Sequence, residues 1–527
     1  MRAIHPVDLL PPGPTAKTPP ASLLSPLFNR LHPSPETLLL ILSLVIGGFT
    51  GAGVVTFHYL IHFIHSLMLE DFMGVISSWG PWTLACIPTL GGVVIGLMRW
   101  RFQDFGPNMS SLIAATRGLQ ELSPLKPITK MVAASVSLGT GASLGPEAPS
   151  VEIGANFGML LAQVLQLSPE RQRLLLGAGA AAGLSAGFNA PIAGVFFALE
   201  VVLGSTFATS SVSVVLLAAV VSALLAQICL GSQPAFALPV YDVRSPLELP
   251  FYMGLGLLAS VVSLAYTEAI QLAERCFQGK VRGFAWLGRL PRPVHPIIGG
   301  ACVGLVALVL PQVLGVGYET VQAMLQDVEF SLPLLLLLLF VKLAVTAISL
   351  GSGLVGGIFA PAMFLGASLG SAYGTFLAMV PALGAHVAGS PAYAMVGMAA
   401  VLAGSARAPL TAILLMFELT RDYRIVLPLM AAVGLSVWLV ECVNRRSQAH
   451  SLNLQQMGVD VALNTPIKAR EQLQDWEDAL GDRIVTELIS CQIPIDDEHK
   501  GDEPVLAMAN SHLPENIKPL PEIKSAV

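Results

Sequence analysis

Gly139-Thr140-Gly141-Ala142-Ser143-Leu144-Gly145-Pro146-Glu147-Ala148-Pro149, running on to Gly154-Ala155 and Gly158, decides the architecture because it occurs twice. Moved by 212 positions (139 to 351), it meets Gly351, Gly353, Gly357, Ala360, Pro361, Gly366, Ala367 and Gly370, eight identities in twenty positions. A second pair follows in the same order. Ala181-Ala182, Leu184, Ala190-Pro191 and Glu200 return as Ala399-Ala400, Leu402, Ala408-Pro409 and Glu418 at a shift of 218 (200 to 418). Two ordered pairs at nearly one shift point to a duplicated half. Matching interrupted segments in two halves place a binding site where the halves meet.

The surroundings of these strings are apolar. Of the 527 residues 54% are hydrophobic and 12% charged, and the mean hydropathy is +0.69. A soluble chain of this length needs about twice that charged fraction. Val201 to Tyr241 carries no charge at all, and about 18 such residues can span a bilayer. Apolar segments succeed one another between 36 and 442, several too short to cross upright and separated by Gly- and Pro-rich breaks. Broken helices survive in lipid only where their free backbone groups are buried in protein or line a polar cavity. The reading is an all-α polytopic membrane protein.

Charge divides the chain. Residues 451–527 hold 14 acidic and 6 basic groups, whereas the rest hold 20 and 22. The expected domains are a proline-rich arm at 1–35, a membrane body at 36–445 with repeats at about 36–235 and 250–445, and an acidic cytosolic tail at 446–527 with helical turns around 468–490. The first 35 residues hold nine prolines and no apolar core, so they are not a signal peptide. No basic cluster suggests nucleic acid. The scattered cysteines form no metal or disulfide pattern.

The broken segments carry the chemistry. In Gly357-Ile358-Phe359-Ala360-Pro361, proline suits a helix start and the glycine allows close approach. The N–H groups near Ile358 and Phe359 then lack intrahelical acceptors, and with the helix dipole they make an anion site without a basic side chain. The counterpart Gly145-Pro146-Glu147-Ala148-Pro149 presents a carboxylate where the other presents Phe359. Glu147 can occupy an anion position itself and compete with a permeating anion. Its protonation or displacement would open the path. Glu152 reads as structural or vestibular. Glu200 and Glu418, at equivalent ends of duplicated helices, read as structural carboxylates that accept backbone N–H bonds at a helix junction. His58, His62 and His65 share one helical face, which reads as a packing face rather than a metal site. No nucleophile–base pair suggests an enzyme.

These strings, with Gly183-Leu184-Ser185-Ala186-Gly187-Phe188-Asn189-Ala190-Pro191-Ile192-Ala193-Gly194, Asp422-Tyr423 and Leu427-Pro428, resemble the ClC chloride channel and proton/chloride antiporter family over roughly 36–445. The resemblance implies about 18 helices in two inverted halves, and a homodimer in lipid with one anion path per subunit. It implies chloride as the transported ion, no cofactor, and a cell membrane or an organellar one as the location. Glu147 then corresponds to the gating glutamate, and Ile358 and Phe359 to backbone anion ligands beside Gly357.

The departures from the family bear on mechanism. Where members usually have Gly-Ser-Gly-Ile-Pro in the first ion loop, this chain has Gly106-Pro107-Asn108-Met109-Ser110. With two family side-chain ligands missing or replaced, anion binding is expected to lean more on backbone N–H groups, with Asn108 or Ser110 of that stretch as candidate additions. Pro146 replaces the basic residue that usually precedes the gate, and no tyrosine follows Tyr423, so Gln448-Ala449-His450-Ser451 stands at the family's central tyrosine. Val201 stands where antiporters place a proton-transfer glutamate. The expectation is passive, channel-like chloride conduction, with proton/chloride antiport and a fluoride-selective or otherwise specialised transporter as alternatives.

Overall fold

A computed structural model describes residues 35–456 apart from 77, 79, 103–104, 106–125, 205–208, 232–247, 327, 329, 382–386 and 422. Pro107, Asn108, Met109, Ser110, Asp422, nearly all of the arm and the tail beyond 456 lie outside the described residues.

The described residues form sixteen α-helices, against the eighteen expected. They are α1 (Pro35–His65), α2 (Met73–Ile76), α3 (Cys86–Arg101), α4 (Lys126–Gly139), α5 (Glu147–Val164), α6 (Pro169–Phe188), α7 (Pro191–Phe197) and α8 (Thr209–Leu230). The series continues with α9 (Leu249–Phe277), α10 (His295–Ala307), α11 (Tyr318–Leu325), α12 (Leu332–Ser352), α13 (Phe359–Met379), α14 (Ser390–Ala406), α15 (Pro409–Thr420) and α16 (Val426–Gln456). Seven helical stretches are long and apolar enough to cross a bilayer: Thr37–Phe72, Trp82–Arg101, Val212–Leu230, Leu249–Phe277, Leu332–Gly351, Phe359–Met379 and Val426–Arg445. The protein is an all-α, multi-pass integral membrane protein.

The duplication reaches the backbone angles. α6 ends on Asn189 in the left-handed region at φ 55°, and α14 ends 218 residues later on Arg407 at φ 54°. Ala190 and Ala408 follow at φ −130° and −131°, and each is succeeded by a proline that opens the next helix. Asparagine tolerates a left-handed cap, whereas Arg407 adopts it against its own preference. The strain at Arg407 marks a turn imposed by the packing around it.

Helix crossings repeat as well. Gly154 of α5 lies so close to Gly179 of α6 that a Cβ on either would strike the other's backbone carbonyl, and Gly366 of α13 meets Gly397 of α14 in the same way. Small residues let membrane helices approach until their backbones touch, and this replaces the hydrophobic drive that lipid does not provide. The two tight pairs hold the N-terminal ends of α5 and α13 in fixed positions.

Residues from Glu441 onward form a second unit, described as far as Gln456. Within it, Arg445 and Glu441 make an exposed pair at 3.6 Å. The boundary expected at 445/446 falls inside α16, which runs as unbroken helix through Gln448-Ala449-His450-Ser451.

Candidate functional site

The two broken segments are tied to each other. Gly145 N–H donates to the Gly357 carbonyl at 2.9 Å, and Gly357 N–H donates to the Gly145 carbonyl at 2.6 Å, an isolated antiparallel bridge. α5 and α13 therefore start side by side. Their prolines do not sit first in the helix, as the sequence suggested. Glu147 and Phe359 open the helices, and Pro149 and Pro361 come third. The physical reason is that all of the opening N–H groups lack intrahelical acceptors, so a missing N–H is tolerated at the third position too. The turns close with Ser150 N–H on the Pro146 carbonyl and Ala362 N–H on the Ile358 carbonyl, at 3.1 and 3.0 Å. At these starts the N–H groups of Glu147, Ala148, Ile358, Phe359 and Ala360 lack intrahelical acceptors.

The Glu147 carboxylate folds back toward two of these donors. Its side chain is 2% exposed, and its carboxylate lies beside its own amide and that of Ala360. A Cβ on Gly357 would stand 2.7 Å from Glu147 Oε2 and 2.9 Å from Ala148 N, so only glycine leaves room for the carboxylate there. The structure thus brings together Glu147, Gly357, Ile358 and Phe359. Ile358 and Phe359 are half-buried, and the Phe359 ring meets Phe197 edge-on at 6.0 Å between centroids.

Sequence reasoning passed over two hydroxyls at this place. Tyr318, the first residue of α11, donates to Glu147 Oε1 at 3.3 Å. Tyr266 of α9 is fully buried, donates to the Ile358 carbonyl at 3.2 Å and stands within electrostatic reach of Glu147. Lys342 was also passed over, although a lone cation in the apolar run of α12 is a signal in itself. It is fully buried; its Nζ donates to the Val313 and Gly315 carbonyls at 3.0 and 2.8 Å and lies 4.9 Å from the centre of the Phe364 ring.

The remaining candidates lie elsewhere. Glu200 accepts from Leu410 N–H, Thr411 N–H and the Thr411 hydroxyl at 3.2, 3.0 and 2.7 Å. Glu418 accepts from Ile192 and Ala193 N–H at 2.9 and 2.7 Å. Val201, next to Glu200, is 37% exposed. Glu152 pairs with Lys130 at 2.7 Å. His58 Nδ1 lies 3.0 Å from the Val54 carbonyl of its own helix, and no metal-holding cluster occurs among the described residues.

The voltage gated chloride channel family matches residues 91–441. The chain is 40% identical over 446 residues to chloride channel protein CLC-e of Arabidopsis thaliana, an alignment covering 79% of this chain and 61% of that relative. It therefore spans about three fifths of the relative's length. It is 31% identical over 405 residues to the H(+)/Cl(-) exchange transporter ClcA of Klebsiella pneumoniae subsp. pneumoniae, covering 74% of this chain and 83% of the other. In fold it is similar to a slow cyanobacterial Cl-/H+ antiporter, with a TM-score of 0.68 at 24% identity over 78% of this chain and 95% of that one. The chain belongs to the voltage gated chloride channel family.

Proposed function

We propose that this protein carries chloride across the membrane passively, along a path that passes the joined starts of α5 and α13, with Glu147 as its gate. One observation carries the reading: the chain's own buried carboxylate lies beside one backbone amide of each helix start, that of Glu147 and that of Ala360. A negative group held there marks a position suited to an anion. The carboxylate and a permeating anion exclude each other, by shared space and by like charge. Gly357 provides the room, and Ile358 and Phe359 contribute N–H groups rather than side chains. The duplicated strings and crossings support two related halves, and the family resemblance supports their inversion and a homodimer with one path per subunit. Residues 107–110 are a further source of anion ligands in this reading. As a family member the protein is not an enzyme.

Passive conduction rests on Val201, where the family resemblance assigns exchangers a glutamate. Similarity to an H(+)/Cl(-) exchange transporter favours the second reading, proton-coupled exchange. Purified protein in liposomes tests the transport itself. Chloride efflux, measured with radiotracer under a potassium ionophore, is expected in protein-containing vesicles. Efflux no faster than from empty vesicles would refute the proposal.

A further inference from the structure

The places from which the family usually draws side-chain ligands are altered here. Pro107 to Ser110 replace the serine loop, and α16 continues as helix where the late tyrosine is expected. Two other tyrosine hydroxyls stand at the helix starts instead, Tyr318 on Glu147 and Tyr266 on the Ile358 carbonyl. The Tyr318 bond to Glu147 is long at 3.3 Å, outside the 2.5–3.0 Å of a strong O–H···O bond, so little is lost when its acceptor changes. The Tyr266 hydroxyl donates to the Ile358 carbonyl, which also accepts Ala362 N–H, and so fixes that turn.

Tyr318 is held in place from three sides. Gly317 precedes it in the left-handed region at φ 86°, a conformation open to glycine. Gly315 N–H donates to the Gly141 carbonyl at 2.9 Å, tying the turn to the first half. Lys342 binds the Val313 and Gly315 carbonyls of the same turn. A group so fixed beside the carboxylate faces whatever replaces the carboxylate.

We propose that Tyr318 is a side-chain ligand of the transported anion. Its O–H points to Glu147 while the gate is closed and turns to the anion when the carboxylate leaves. Tyr266 is a positioning residue: it engages the Ile358 carbonyl so that the N–H groups of that turn face the anion. Tyr318 supplies a tyrosine hydroxyl to the anion where the late tyrosine of the family is missing. This inference rests on the gate reading above, since it needs an anion at the place of the carboxylate.

The test uses full-length protein in detergent and a Glu147→Ala background, in which no carboxylate competes. Chloride binding by calorimetry is expected in Glu147→Ala and about tenfold weaker in Glu147→Ala/Tyr318→Phe, the scale of one hydrogen bond to a charged partner. Nitrate, more weakly hydrated, should lose less than chloride, a change in preference that a merely structural tyrosine would not produce. Equal chloride affinity in the two proteins would overturn the role of Tyr318 and leave the gate standing. No chloride binding by Glu147→Ala would overturn both. Bromide anomalous scattering from Glu147→Ala crystals gives an answer that does not depend on the phenylalanine variant folding. Bromide within hydrogen-bond reach of Tyr318 Oη is expected, and bromide contacted by backbone amides alone would refute the assignment.

Discussion

Glu200 and Glu418 each cap the helix that carries the other. Glu200, just beyond α7, accepts the first N–H groups of α15, and Glu418, near the end of α15, accepts those of α7. Both carboxylates are thereby engaged by backbone donors of the opposite half. Charge-assisted bonds of this kind are stronger than neutral ones. Alanine at either position is expected to lower stability by about 3 kcal/mol, from the loss of two backbone bonds at roughly 1.5 each, with the Thr411 hydroxyl bond lost in addition at Glu200. Thermal unfolding in detergent should show similar falls for Glu200→Ala and Glu418→Ala, with chloride binding unchanged. A Glu200 variant of undiminished stability that altered proton movement would mean a transport role instead.

Removing the Glu147 charge should abolish gating. In the wild type, acidification neutralises the competing carboxylate, so chloride flux is expected to rise as pH falls and to decline as pH rises. Glu147→Gln should conduct at high pH and show a flat profile. A wild-type pH response preserved in that variant would exclude Glu147 as the gate.

Gly357 tests the role of the backbone. A Cβ there would stand 2.7 Å from the Glu147 carboxylate and 2.9 Å from Ala148 N, and the second neighbour is backbone that cannot swing aside. Gly357→Leu should weaken chloride binding at least about tenfold, or 1.4 kcal/mol. Ile358→Val and Phe359→Leu keep their N–H groups and should bind nearly as the wild type does. Equal losses in all three would assign the contacts to side chains.

Much of this arrangement was legible in the sequence because duplication writes itself twice. The strings around Glu147 and Gly357 disclosed the paired helix starts, and the equivalence of Glu200 and Glu418 anticipated capping work. The depth of Pro149 and Pro361 in their helices was not legible, since proline satisfies the same rule at any opening position. Tyr318 and Tyr266 were hidden for a different reason. Tyr318 reaches Glu147 from α11, 171 residues away, and Tyr266 reaches the Ile358 carbonyl from α9, 92 residues away, and no local pattern records contacts across such separations. Lys342 was readable as a lone cation, but its carbonyl partners lie in a turn without periodicity.

Lys342 should matter for the shape of that turn. Lys342→Met keeps the length and the contact with Phe364 but leaves the Val313 and Gly315 carbonyls without their donor. Each buried acceptor so abandoned costs about 1–3 kcal/mol, less what the lysine's own desolvation had cost. A lowered unfolding temperature is expected, together with a fall in chloride affinity in the same direction as that of Tyr318→Phe. Lost stability with unchanged affinity would separate the turn from the anion.

Coupling is the last question, and Val201 frames it. An exchanger joins its two fluxes in one cycle, so a chloride gradient must be able to drive protons uphill. That needs a proton path to the opposite side from the gate, and the resemblance assigns its first carboxylate to the place of Val201. Val201 is apolar and lies beside a Glu200 whose carboxylate is already bonded to three donors of α15. Val201 has no protonatable group, and the Glu200 carboxylate is held at the start of α15. In liposomes or planar bilayers with opposing chloride and pH gradients, the reversal potential should follow chloride alone. Val201→Glu is expected to remain uncoupled, because one carboxylate does not complete a route. A reversal potential that moves with the proton gradient at fixed chloride would place this protein with the exchangers and require a path that avoids Val201.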